Sequence, residues 1–141
     1  SRPPNNVMWR PRPACSPRKV MENAVRDNND AVFKNIANMY DVNKNTQCWI
    51  KLTVYAKDRK WTELQNYAKK SQALEWETFA EVCAEYGNME LAAAFIDKIS
   101  NNERKIDTFL SFKMYDKALA VAKSSKNTQR VNMIMQMMGN S

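Results

Sequence analysis

Four carboxylates, Glu75, Glu77, Glu81 and Glu85, fall close together, and Glu81 and Glu85 stand one helical turn apart. Paired carboxylates are the usual residues of general acid–base chemistry. That chemistry needs a companion, and the sequence holds no histidine to move a proton near neutral pH or to help hold a catalytic metal. It holds two glycines, Gly87 and Gly139, which excludes a glycine-rich phosphate loop or a dinucleotide fingerprint. The three cysteines, Cys15, Cys48 and Cys83, are odd in number and far apart, so they read as reduced thiols of a cytosolic or nuclear protein. Cys83, among apolar neighbours, reads as core. No nucleophile–base pair can be assembled. The carboxylates are expected to form a solvated helical face, and the chain is expected to be no enzyme, with no cofactor and no metal.

The basic residues carry more information. Twenty-two lysines and arginines against 15 acidic residues give a net charge of +7. They cluster at Arg10, Arg12, Arg18 and Lys19; at Lys57, Arg59 and Lys60 around one turn; at Lys69 and Lys70; and at Lys123 and Lys126. Such charge suits an acidic protein surface, nucleic acid or an anionic membrane. Nucleic-acid binding calls for exposed aromatics among the bases or a reading motif. The aromatics here follow the apolar stripes, and neither a zinc module nor an RNP-type strand motif is present. Charge alone gives weak, salt-sensitive binding. A protein partner is therefore expected and nucleic acid is not; a basic helical module for nucleic acid or anionic membrane is the alternative.

The elements that position these residues are helical. Residues 1–16, SRPPNNVMWRPRPACS, hold four of the five prolines and no periodicity, so they read as an extended Pro-rich segment around Trp9. Ser16 is placed to cap a helix with Pro17 at its first position. Asn28, Asn29 and Asp30 break and recap; Ala31 to Tyr40 is amphipathic; Asp41 to Thr46 reads as a polar turn. Trp49 to Ala56 and Trp61 to Lys70 follow as helices, the latter closed by two lysines that suit its dipole. Trp76 to Tyr86 ends at Gly87, a C-cap signal, and Asn88 caps the next helix. Ser100 and Glu103 have capping-box spacing, and Asn127 is placed to cap the last helix.

These segments repeat. Trp61, Leu64, Tyr67 and Ala68 align with Met89, Ala92, Phe95 and Ile96 and with Tyr115, Ala118, Val121 and Ala122. Small residues, Ala56, Ala68, Ala84, Ala92 and Ala118, fall where helices approach closely. Short helix pairs at a period of about 26–28 residues predict an all-α fold, an α-solenoid of antiparallel pairs over 17–141 as one domain. No run reaches the ~18 apolar residues of a membrane span, and the start lacks a signal-peptide pattern. The absent initiator methionine reads as the mark of a fragment.

Three strings carry a resemblance: Trp49-Ile50-Lys51-Leu52-Thr53 with Trp61-Thr62-Glu63-Leu64; Ala68-Lys69-Lys70-Ser71; and Phe79-Ala80-Glu81-Val82-Cys83 followed by Asn88 and a helix ending in Asp97-Lys98. In that order, from about Cys48 to Ile99 and more loosely to Lys123, they resemble the C-terminal helical region of the Vps-sixteen (vacuolar protein sorting sixteen) family, including its VIPAR/SPE-thirty-nine branch. Gln72-Ala73-Leu74-Glu75-Trp76 stands where that family has a Ser-Pro-Ile-Gly-Tyr-like turn, and the Pro-rich start is not a family feature. The resemblance implies a non-enzymatic α-solenoid scaffold in vesicle trafficking. It would bind a Sec/Munc-type SNARE chaperone, Vps-thirty-three-like or Vps-forty-five-like, and recruit it to HOPS/CORVET-like tethering and fusion machinery. The parent protein would contact other tethering subunits. Localisation would be cytoplasmic, peripheral on late endosomes, lysosomes or vacuoles, with membrane association indirect. Solenoids bind through faces left over from stacking, which selects Lys51, Tyr55, Lys57, Arg59 and Lys60 as partner contacts, with Lys98 outlying and Tyr55 as aromatic anchor. Trp49 and Trp61 are expected to hold their helix pair together.

Overall fold

Asparagines and left-handed turn residues set the helix boundaries. The computed structural model describes residues 16–71 and 73–139. Among them are nine helices: α1 (Pro17–Arg26), α2 (Asp30–Met39), α3 (Lys44–Lys57), α4 (Trp61–Lys70), α5 (Trp76–Glu85), α6 (Met89–Ile96), α7 (Asn102–Ser111), α8 (Tyr115–Ser124) and α9 (Thr128–Gly139). Side-chain oxygens of Ser16, Asn29, Asn43, Asn88, Asn101 and Asn127 each accept a bond from the backbone N–H three residues on. Each satisfies one of the donors that a helix start leaves orphaned.

Six helix ends share one geometry. Asn28, Asp41, Arg59, Gly87, Lys113 and Lys126 have positive φ, 90° at Gly87 and 52–62° at the others. The residue after each donates its N–H back to the carbonyl of the third-last helical residue or its equivalent: Asn29 to Ala24, Val42 to Ala37, Lys60 to Tyr55, Asn88 to Cys83, Met114 to Phe109 and Asn127 to Ala122, all at 2.8–2.9 Å. This is the Schellman turn. It reverses the chain within a few residues, so sequential helices pack as neighbours: α1 on α2, α3 on α4, α5 on α6, α7 on α8 and α8 on α9.

The second helix of each pair buries its fourth and eighth residues. These are Phe33 and Ala37 in α2, Leu64 and Ala68 in α4, Ala92 and Ile96 in α6, and Ala118 and Ala122 in α8, none more than 2% exposed. The fourth and eighth of the aligned sequence positions thus coincide with the packing seam, while Met89 at a first position is exposed, and α2 adds a fourth copy. Of the matched alanines, Ala56, Ala68, Ala92 and Ala118 are fully buried, and Ala84 partly so.

Two compact units divide at Leu74/Glu75. In the first, α3 is central: it packs on α1 and α4, and Cys48, Ile50, Leu52, Val54 and Ala56 are all buried. Phe33, Ile36 and Met21 close the core over Ile50 and Val54. In the second, Trp76, Phe79 and Phe95 form an aromatic triangle, with ring centroids 5.4–5.9 Å apart, that joins α5 to α6.

Two boundaries differ from the sequence expectation. Asn101, not Ser100, caps α7, because its side chain reaches the N–H of Arg104 at 2.9 Å. Glu103 instead binds Arg130. The polar turn after Asp41 is shorter than expected, since Asn43 caps α3 and Lys44 already begins it. The Pro-rich segment through Cys15, with Trp9, Arg10 and Arg12, lies outside the described residues.

The left-handed turn predicts an asymmetry between matched positions. Gly87→Ala places a Cβ in the left-handed region and should lower stability by about 1–2 kcal/mol. Lys113→Gly, at the same place in the next pair, should stay within about 0.5 kcal/mol of the parent, relieved backbone strain offsetting a freer unfolded chain. Urea denaturation of both variants checks this.

Candidate partner-binding site

The residues selected from the sequence separate into three environments. Lys51 projects from the middle of α3 into unit 1 and is only 22% exposed. Its Nζ lies 3.4 Å from Asp30 Oδ1, 4.6 Å from the centre of the Phe33 ring and 5.3 Å from that of Tyr67. Asp30 begins α2, Phe33 lies one turn on, and Tyr67 belongs to α4. One ammonium therefore ties three helices together through an ion pair and two ring faces. The Lys34 hydrogen bond, and then the charge of Lys51, hold the Asp30 carboxyl below its ordinary range.

Tyr55, one turn after Lys51, is half-buried and meets the Tyr67 ring edge-on at 6.2 Å. Burial pushes its hydroxyl pKa up. Lys51 and Tyr55 thus form one half-buried cluster instead of an exposed strip. Lys57, Arg59 and Lys60 are exposed on the α3–α4 turn, and the left-handed φ of Arg59 fixes the backbone there. Arg26 of α1 clamps this end of the unit through Asp58 at 3.0 Å. Lys98 belongs to unit 2, where its Nζ lies 5.6 Å from the centre of the Trp76 ring. Trp49 and Trp61 are both half-buried.

Sequence reasoning missed several organising contacts. The Arg104 guanidinium grips Glu77 with two bonds at 2.7 and 2.8 Å, linking α7 to α5. Arg130 grips Glu103 and Asp107, linking α9 to α7. The two arginines are both the third residue of their helix, a recurrence visible only once the helix starts are known. Glu77 is therefore one half of an ion pair and is held below the ordinary carboxylate range, while Glu81 and Glu85 are exposed.

No group of three or more acidic or cysteine side chains that could hold a metal occurs among the described residues. A surface groove of about 380 Å³ is lined by Ala93, Ala94, Phe109 and Ala120 together with Glu90, Asp97 and Lys117. Cys48 and Cys83 are free and buried. Burial pushes the Cys83 thiol up to about 12 and raises that of Cys48, away from the thiolate a nucleophile needs.

The family model described as "Vps16, C-terminal region" matches residues 16–140. The chain belongs to the Vps16 C-terminal region family. Over 87 residues it is 30% identical to the vacuolar protein sorting-associated protein 16 homolog of Dictyostelium discoideum, a stretch covering 61% of this chain. The chain spans about a tenth of that relative's length, since the matched stretch is 10% of it. The family match begins at the α1 cap and so covers all nine described helices. No described helix is long and apolar enough to cross a membrane.

Two predictions follow the site's burial pattern. Lys51→Ala should cost about 1 kcal/mol, because it removes a partly desolvated cation from two rings. Lys57→Ala and Lys60→Ala should stay within about 0.5 kcal/mol of the parent, as exposed substitutions do; thermal melts separate the two classes. The second concerns pH. An acid whose pKa rises on folding keeps its stabilising contribution below the unfolded pKa and loses it as pH climbs through the native one. Cys83, raised from 9.0 to about 12, therefore erodes stability across that interval, and Cys48, Tyr55 and Tyr67, all raised by burial, act in the same direction. Urea midpoints should fall steadily from pH 9 upward.

Proposed function

We propose that this chain is part of a non-enzymatic scaffold in endosomal–lysosomal vesicle trafficking. Its helix pairs are read as repeats of an α-solenoid that binds a Sec/Munc-type SNARE chaperone, Vps-thirty-three-like or Vps-forty-five-like, and recruits it to tethering and fusion machinery. Through the parent protein it would join other subunits of a tethering complex, on the cytoplasmic side of late endosomes, lysosomes or vacuoles. The observation that carries this reading is the family match over every described residue. The name of the Dictyostelium relative, a vacuolar protein sorting-associated protein, points the same way.

In this reading the residues divide the work by their exposure. Lys57, Arg59 and Lys60 stand exposed at a fixed turn, where little is lost on ordering against an acidic partner. Lys51 and Tyr55 would act one step back, by holding α2, α3 and α4 in the arrangement that presents the turn. Lys98 serves as the outlying contact of unit 2. Trp49 and Trp61, half-buried, would support the pair beneath the site.

Size-exclusion chromatography with light scattering tests the reading. Mixed with Vps-thirty-three-type and Vps-forty-five-type chaperones, the chain should give a one-to-one peak with one of them at about 150 mM salt that survives about 500 mM, where exposed charges are largely screened. Lys57→Glu combined with Lys60→Glu should abolish that peak while circular dichroism stays unchanged. A helical chain that gives no peak with either class would overturn it.

A further inference from the structure

The charge of this chain is not spread along it. Fourteen basic and six acidic residues precede Glu75, a net +8; eight basic and nine acidic residues follow from Glu75, a net −1. Within unit 1 the charges sort further, toward the two ends of the helices.

The Arg26–Asp58 bridge joins the C-terminal ends of α1 and α3, so those two helices run the same way, and α2 and α4 return against them. The opposite end of the unit therefore collects the starts of α1 and α3 and the ends of α2 and α4. Contacts of Cys48, early in α3, with Tyr67 and Ser71, at the end of α4, agree with this. The cations gathered there are Arg18, Lys19, Lys44, Lys69 and Lys70. Of the acids at this end, Glu22 is engaged by Arg18 at 3.3 Å, which leaves Asp41.

At the same end, Met39 and Tyr40 stand 61% and 46% exposed, large for apolar side chains beside a well-packed core. Their turn is not loose. Val42 donates to the Ala37 carbonyl at 2.8 Å, the Gln47 side chain donates to the Val42 carbonyl at 2.8 Å, and Asn43 caps α3. Val42 itself packs on the core. The backbone thus holds a thioether and a phenol outward at the end of the unit where those cations lie.

We propose that this end of unit 1 seats on an anionic phospholipid surface. Lys19, Lys44, Lys69 and Lys70 meet headgroup phosphates, and Met39 and Tyr40 enter the boundary between headgroups and acyl chains. Both parts follow general rules. Juxtamembrane lysines are drawn to acidic lipid, and tyrosine favours a site with one wet and one apolar side. Neither part is strong alone; a rigid tip that combines them gives an oriented contact. The proposal does not rest on the chaperone reading, whose Lys57, Arg59 and Lys60 lie at the other end of the same unit.

Co-sedimentation of the 141-residue chain with vesicles tests it. The chain should pellet with phosphatidylcholine–phosphatidylserine vesicles and not with phosphatidylcholine alone. Lys69→Glu with Lys70→Glu, and separately Met39→Ser with Tyr40→Ser, should each lower the bound fraction several-fold while circular dichroism stays helical. Lys57→Glu with Lys60→Glu, at the far end, should leave it nearly unchanged. Failure to pellet with the anionic vesicles overturns the proposal and leaves this end to a protein surface. An equal loss in the far-end variant also overturns it, because binding would then follow total charge and not an oriented tip.

Discussion

Six chain reversals, each completed by a left-handed residue and a back-donated amide, are the constraint on which this structure depends. A helix that ends without partners for its last carbonyls must either find water or turn back on itself. Here the turn supplies the partners, and the next helix begins at once, held in place at most of these sites by a side-chain cap or a hydrogen-bonded start. Five of the six reversals join helices that pack directly on one another. The buried fourth and eighth residues of α2, α4, α6 and α8 are the seam that this geometry presents. Five of the six left-handed positions carry side chains, a cost of about 1–2 kcal/mol each by backbone sterics. Two back-bonds per turn, worth about 0.5–1.5 kcal/mol each, offset it.

The same turns place the charge. A three-residue reversal between α3 and α4 cannot bury its residues, so Lys57, Arg59 and Lys60 stand outside whatever the rest of the unit does. Lys51 has the opposite fate because α3 is central: a side chain in its middle meets α2 on one side and α4 on the other. Its ammonium lies against two ring faces and Asp30, which replace part of the water it loses. Exposed and enclosed cations are thereby divided between the end of α3 with its following turn and the middle of the same helix.

Much of this architecture was legible in the residues. Periodicity gave the helices, Asn88 and Gly87 gave a boundary each, and the offsets of the second helices gave the buried seam. The resemblance carried by the Trp49, Trp61 and Phe79 strings agrees with the family match. What stayed hidden depended on distance in space. Ser100 and Glu103 have the spacing of a capping box, yet Asn101 takes the cap and the long-range guanidinium of Arg130 takes the Glu103 carboxylate. Lys51 reads as a surface cation because lysine usually is one; only the packing of α2 and α4 on either side encloses it. Left-handed turns at Arg59, Lys113 and Lys126 give no compositional signal, since long cationic residues are not turn formers. The division at Leu74 likewise falls in a short segment that composition does not mark.

Native-state amide hydrogen exchange on the intact chain tests the central constraint most directly. The back-donating amides of Asn29, Val42, Lys60, Asn88, Met114 and Asn127 should be protected to within about tenfold of helix-interior amides such as those of Ala92 and Ala118, because turn and helix open as one unit. Exchange of those six amides at the rate of an unstructured chain, with the helix interiors still protected, would contradict the account: the helices would then be paired by their apolar seams alone, and the turns would be passive links.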